Sequence, residues 1–213
     1  MIRRETSRCK IVTTDNPDYS SDAAAVIRSG GIAAIPTETS YGLAVDPFNG
    51  QALKQLFAIK RRPSNKPVLV LIDGVEHLSR LISGIPVVYE PLIKRFWPGP
   101  LTLIFPARPT LPSLLTAGSG TIGVRISSNK SASAICHLAG GAITATSANI
   151  SGEQPARTVK ELVSSFKESL DLIVDGGGLD TAPPSTILNC RDNRLGLVRE
   201  GGITLEDIDN LQS

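Results

Sequence analysis

Lys60, Arg62, Arg125 and Arg199 are the cations of this sequence best placed to hold a ligand. Lys60 and Arg62 stand in AIKRRPSNKP at a helix end, where Pro63 and Pro67 stiffen the loop as a ligand clamp would need. A solvated basic cap favoured by the helix dipole fits the same residues. Arg125 follows TIGV in a strand that otherwise reads as buried, and a buried guanidinium needs an anionic partner. That partner is either a protein carboxylate or a bound phosphate or carboxylate. Arg199 closes LGLVRE, and Ser185 and Thr186 open STILN. PTETSYGL places Thr37, Glu38, Thr39 and Tyr41 after a buried strand, either as a plain turn or as part of a site. TATSANISG ends another strand in Thr144, Thr146, Ser147, Asn149 and Ser151, without an acid, a base or a thiol. No obvious nucleophile accompanies this inventory. It suits a polyanion such as a nucleoside triphosphate, because phosphoryl or nucleotidyl transfer asks for positioning and charge neutralisation more than covalent chemistry.

Other patterns fail on context. GSGTIG (118–123) fits GxGxxG, but a Pro-rich stretch precedes it and a strand follows, so no helix N-terminus meets a pyrophosphate. SSNK (127–130) lacks the companion motifs of a serine acyl enzyme, and NIS (149–151) is a glycosylation sequon only in form. There is no GxxxxGK[ST] loop and no HExxH. His77 and His137 show no metal-ligand spacing and complete no Ser-His-Asp set.

The elements that must position these groups alternate along the chain. Helices are expected in DAAAVIRSGG (capped by Asp22 and stopped by Gly30–Gly31), NGQALKQLFAIKRR (capped by Asn49), VEHLSRLI, EPLIKRFW and SASAICHLA. Two more are TVKELVSSFKESL, with a Thr158/Glu161 capping box, and a short one from Thr204. Strands are expected in IAAIPT, PVLVLI, LTLIF, TIGVRI, GAITAT, LIVD, STILN and LGLVRE. The alternation indicates one α/β domain with a mixed sheet. GSGT and DGGGLDTAPPS read as loops, and long Gly/Pro loops often carry function.

A net charge of +2 is too small to imply nucleic-acid binding by itself. The cysteines, Cys9, Cys136 and Cys190, form no CxxC pair and suggest reduced thiols. MIRRETSRCK lacks the apolar core of a signal peptide, and no apolar run is long enough to span a bilayer. A cytoplasmic protein without a membrane association is expected.

PTETSYGL, KRRPSNKP, WPGPLT, TIGVR, TSANISG, PPSTI and VREGGI occur in the order and spacing of the YrdC-like family. From about Ala25 to Ile203 the chain resembles that family's threonylcarbamoyl-AMP synthases. The resemblance implies one YrdC-like domain over 1–213 with its core at about 20–203. Its fold would be a twisted mixed α/β sheet with flanking helices around a large basic cavity.

The implied activity is nucleotidyl transfer. L-threonine, bicarbonate and ATP would give threonylcarbamoyl-adenylate and pyrophosphate, with Mg2+ held mainly by ATP. A threonylcarbamoyl-transferase complex would then modify tRNAs that read ANN codons. The enzyme would be a monomer or homodimer.

Matched motif by motif, Thr37, Arg125, Ala145 and Ser185 would bind threonine, with Arg125 on its carboxylate. Lys60, Arg62, Ser64, Thr121, Ser147, Asn149 and Arg199 would face ATP. Lys60, Arg62 and Arg125 would serve catalysis, and DGGGLDTAPPS would close over a carbamate that is labile in water. The sequence departs from the pattern in three places. Leu71 stands where many longer relatives have a histidine, EQPAR follows SANISG in place of a Ser-Pro-Thr type sequence, and the second domain of the longer synthases is not expected. The alternative is a YciO-like paralogue binding nucleotide or double-stranded RNA; the intact TSANISG favours the synthase. A pure RNA-binding module is disfavoured by the near-neutral charge and sparse aromatics.

Overall fold

The computed structural model describes residues 9–211. The reading of the N-terminal stretch rests mostly on residues outside that range. In chain order the elements are β1 (Lys10–Thr13), α1 (Tyr19–Arg28), β2 (Ala33–Pro36), β3 (Tyr41–Ala44), α2 (Gly50–Ile59) and β4 (Val70–Ile72). There follow α3 (Glu90–Phe96), β5 (Leu101–Pro106), α4 (Ser113–Thr116), β6 (Thr121–Arg125), α5 (Lys130–Leu138), β7 (Ala142–Thr144) and β8 (Thr146–Ser147). The chain ends through α6 (Val159–Phe166), β9 (Leu172–Asp175), β10 (Thr186–Arg191), β11 (Arg194–Arg199) and α7 (Leu205–Asp209).

The strands form two mixed sheets rather than one. Five run in the order β1-β9-β2-β3-β8 and six in the order β11-β10-β5-β6-β4-β7. The chain passes between the sheets at Ala145. Residues 142–144 pair with β4 in one sheet and residues 146–147 pair with β3 in the other. The Ala145 amide meanwhile donates to the Leu69 carbonyl at 3.0 Å. Thr144 bridges the join from below, its hydroxyl accepting from Val45 N at 3.0 Å. A small residue at this corner leaves an open space between the sheets.

Two apolar clusters hold the frame. The larger joins Leu43, Leu53, Leu56, Leu103, Phe105 and their neighbours, with Tyr89 edge-on to Phe105. The smaller packs Ala23 and Ile27 of α1 against Ile135 and Cys136 of α5 over Ile35, Leu71 and Val174. Leu71, one of the three departures from the family pattern, is a core residue, 1% exposed.

Asn49 caps α2 through Gln51 N and Ala52 N, and Glu161 and Thr158 bond each other's backbone N–H groups ahead of α6. Asp22 does not cap α1. That helix starts at Tyr19 and Asp22 lies inside it, bonded to Lys10 Nζ at 2.6 Å. VEHLSRLI forms a 3-10 turn over Val75–Arg80 instead of an α-helix. GSGTIG runs into β6, so no helix follows it. No disulfide joins Cys9, Cys136 and Cys190, and no described helix is long and apolar enough to cross a membrane.

Candidate functional site

The space beside Ala145 is a cavity of about 480 Å³ between the two sheets. Its lining carries four arginines, Arg62, Arg125, Arg157 and Arg199, and no carboxylate, lysine or histidine. Hydroxyls from Thr37, Thr39, Ser40, Thr102, Thr121, Ser147 and Ser185 complete its polar face. Among the described residues, only one of the four guanidiniums, Arg125, forms an ion pair with a carboxylate (Glu38, behind the lining), so the interior keeps a net positive charge that the low-dielectric walls concentrate. The expected basic cavity is present.

Arg125 ends β6 with its side chain 3% exposed. Its partner is a protein carboxylate: Nη1 lies 3.2 Å from Glu38 Oε1. Glu38 in turn accepts from the Ser127 hydroxyl through Oε2. The pair is not saturated, because Arg125 Nε is buried without a hydrogen-bond partner. Burial, outweighing the help from Glu38, and the nearby Arg199 charge both lower the guanidinium's pKa from its ordinary value. A buried donor without an acceptor costs about 1–3 kcal/mol, while the residue itself lines the cavity.

Around Arg125 the hydroxyls are held by their own turns. Thr37 donates to Ser40 O at 2.6 Å and accepts from Thr39 N and Ser40 N at 3.3 Å, so PTETS forms a turn and lines the cavity at once. Arg199 donates twice to Ser185 O, at 3.0 and 2.7 Å, and once to Ser185 Oγ at 3.0 Å. Ser185 Oγ also meets Thr102 Oγ1 at 2.9 Å. Arg62 folds back on its own loop, donating to Lys66 O at 3.1 Å and Pro67 O at 2.6 Å. Arg62 thus closes the loop between the two prolines, of which Pro67 lines the cavity.

Lys60 departs from the phosphate-facing position that the resemblance gave it. It is 1% exposed and lies outside the cavity lining. Its Nζ donates to Ser147 O, to Asn149 O at 2.8 Å and to Asn149 Oδ1 at 3.3 Å. Burial and the Arg62 charge pull its pKa down to about 7, while three facing acceptors favour the ammonium.

Asn149 is equally committed to the protein. Oδ1 accepts from Ser147 Oγ at 2.6 Å, and Nδ2 donates to Ile150 O at 3.0 Å and Glu153 O at 2.7 Å. Lys60 and Asn149 thus hold the shape of the loop that brings Ser147 into the cavity wall. Ser64 is exposed and outside the lining.

One wall is a loop. Residues 176–185 contribute Ala182, Pro184 and Ser185 to the lining. The Tyr41 phenol accepts from Gly176 N at 3.0 Å and donates to Gly177 O at 2.8 Å. Further along, Arg157 donates to Asp180 O at 2.7 Å and accepts from Leu179 N at 3.0 Å.

The structure therefore gathers Thr37, Arg62, Thr121, Arg125, Ala145, Ser147, Ser185 and Arg199 around one cavity, with Lys60 and Asn149 behind Ser147. Arg157, Gln154 and Thr102 also reach the cavity without having been marked as site residues. Arg157 had one available signal, since it sits in the EQPAR segment that departs from the pattern.

A family model described as Sua5/YciO/YrdC, telomere recombination, matches residues 25–201. A threonylcarbamoyl-AMP synthase of Pyrococcus abyssi is 36% identical over 89% of this chain and 56% of its own length, so the chain spans little more than half of that relative. A threonylcarbamoyl-AMP synthase of Halorhodospira halophila is 37% identical over 82% of this chain and 90% of its own length. Among solved structures, P. abyssi Sua5 complexed with L-threonine superposes with a TM-score of 0.89 at 34% identity, over 95% of this chain and 60% of that one. Escherichia coli YciO superposes with a TM-score of 0.79 at 25% identity, over 92% of this chain and 96% of that one. The chain belongs to the Sua5/YciO/YrdC family.

Proposed function

We propose that the chain is a nucleotidyltransferase that condenses L-threonine, bicarbonate and ATP into threonylcarbamoyl-adenylate and pyrophosphate, as the names of its synthase relatives suggest. The observation that carries this reading is the cavity wall, with four arginines and no carboxylate among its lining residues. Such a wall binds anions and offers no nucleophile of its own.

In this reading Arg125 takes the threonine carboxylate, flanked by Thr37, Ala145 and Ser185. Arg62, Thr121, Ser147 and Arg199 face the nucleotide, while Lys60 and Asn149 act by fixing Ser147. The threonine amine adds to CO2 drawn from bicarbonate, with loss of water. The resulting carbamate oxygen then attacks the α-phosphorus of ATP. One P–O bond forms and the bond to the β-phosphate oxygen breaks, releasing pyrophosphate. Pyrophosphate leaves with its charge spread over fixed guanidiniums, which need no reorganisation at the moment of reaction.

A hydroxyl-lined wall without carboxylates fits a Mg2+ carried in by ATP rather than a protein cage. That ion would supply further charge neutralisation on the phosphates. The product would pass to a tRNA-modifying transferase. A YciO-like role in RNA binding would need cations on an open surface, whereas these are turned into a cavity behind a built Ser147–Asn149–Lys60 network.

The test is incubation with ATP, L-threonine, bicarbonate and Mg2+, followed by measurement of pyrophosphate. Threonine-dependent release is expected. Release that is absent, or that ignores threonine, overturns the assignment.

A further inference from the structure

β4 has two functional ends. Leu69, just before it, lines the cavity, whereas Asp73, just after it, enters a second cluster of ligating side chains. Here Asp73, Glu76 and His77 each offer one ligand atom, all within 4.8 Å of one another. His77 Nε2 is 3.0 Å from Asp73 Oδ1 and 3.8 Å from Glu76 Oε1. From α5, His137 Nδ1 meets the other Asp73 oxygen, Oδ2, at 2.7 Å.

Two observations separate this cluster from an ordinary surface ion pair. Asp73 is only 10% exposed, and its Oδ1 is buried with no hydrogen bond although His77 Nε2 lies beside it. A carboxylate oxygen and an imidazole nitrogen held close, without a proton aligned between them, are arranged for a shared cation. The second observation is backbone space. A Cβ at Gly141 would collide with the His77 ring, and one at Gly74 would collide with the Glu76 carboxylate. Glycines on both sides let the ligands converge.

We propose that Asp73, Glu76 and His77 bind a divalent transition cation of the Zn2+ type, with His137 as the positioning residue on Asp73. Zn2+ bonds nitrogen and oxygen at about 2.0–2.2 Å, so its tetrahedral ligands stand roughly 3.3–3.6 Å apart. The separations of 3.0 and 3.8 Å bracket that edge. One imidazole among carboxylates favours Zn2+, Co2+ or Mn2+ over Mg2+ and Ca2+, which prefer oxygen alone. Water fills the remaining position, since Glu76 is exposed. The His137–Asp73 bond orients a ligating carboxylate, a contact of the kind that tunes metal affinity. The cation would tie the end of β4 to the Val75–Arg80 turn and, through His137, to α5. The site is independent of the cavity chemistry.

The full chain, stripped by a chelator and dialysed, is titrated with ZnCl2 by calorimetry and with CoCl2 by visible absorption. One Zn2+ per chain is expected, with a Co2+ spectrum of low coordination number. Saturating Zn2+ should raise Tm by roughly 5–10 °C. Glu76→Gln, at an exposed position that leaves the fold intact, should weaken binding at least about tenfold. His77→Gln should abolish it, and His137→Ala should weaken it by about 10- to 100-fold. Pyrophosphate release by Glu76→Gln should equal that of the wild type. No saturable binding to the wild-type chain, or unchanged affinity in Glu76→Gln or His77→Gln, overturns the proposal. Displacement of Zn2+ by equimolar Mg2+ overturns the assignment to a transition metal.

Discussion

Arg125 and Glu38 form a half-finished pair: Nη1 and Oε1 stand 3.2 Å apart while Arg125 Nε finds no acceptor. A buried guanidinium tied wholly to a carboxylate would have no reason to bind anything else. Here Glu38 neutralises the charge enough for burial and leaves one donor direction unused. Structural pairing and ligand binding were alternatives for Arg125 in the sequence; the geometry makes them compatible.

The pair can be dissected by substitution. Arg125→Met strands a buried carboxylate and should cost about 3–5 kcal/mol in urea denaturation. The double variant Glu38→Gln/Arg125→Met removes both charges and should recover most of that stability. Neither variant should release pyrophosphate in response to threonine. Activity in the double variant would remove Arg125 from threonine binding.

Lys60 and Asn149 act through the loop they hold in place. Lys60→Met and Asn149→Ala should each lower kcat/KM for ATP by roughly 100-fold, because a displacement of about 1 Å at Ser147 has that effect. The double variant should be hardly worse than either single one, since both remove the same support. Additive losses would instead mean that each residue touches ATP separately.

This division of labour shows where the sequence was informative. Residue types pointed to Thr37, Arg62, Arg125, Ser147, Ser185 and Arg199, and the resemblance added Thr121; all line one cavity. Their roles depended on partners far away in the chain. The Lys60–Asn149 contact joins residues 89 positions apart, and no spacing rule encodes it.

Local signals carried the helix caps at Asn49 and Thr158 but misplaced the start of α1, where Lys10 of a neighbouring strand captures Asp22. β3 was hidden because YGLA follows turn residues: it closes a hairpin with β2 and pairs with the distant β8 on its other edge. The split into two sheets turns on a single residue, Ala145, whose neighbours read as one continuous strand.

Tyr41, a cavity-lining residue, ties down the start of the loop over 176–185. Tyr41→Phe removes the group that bonds both Gly176 N and Gly177 O, at a local cost of about 1–3 kcal/mol. The variant should be cut faster by protease within residues 177–183. It should also lose more of its adenylate product to hydrolysis, while pyrophosphate release changes little. A product half-life equal to that of the wild type would rule out a protective role for this loop.

The buried ammonium of Lys60 gives the fold a pH dependence whose sign follows from its lowered pKa. Its ordinary value is 10.5, and burial together with Arg62 brings it to about 7 in the folded chain. Between those values the unfolded chain binds more protons than the folded one. Stability therefore rises with pH across that window, and the contribution is lost as pH falls through about 7. The slope should not exceed about 1.4 kcal/mol per pH unit, the limit for one proton. Lys60→Met lacks the group, so the wild type should gain on it steadily from about pH 7 to pH 9 in parallel urea titrations. A neutral amine has two hydrogens for three facing oxygens, Ser147 O, Asn149 O and Asn149 Oδ1. The supported loop should therefore slacken over the same range, and kcat/KM for ATP should fall while the fold grows more stable. Parallel stability curves for the two proteins would show instead that the three acceptors keep Lys60 charged throughout.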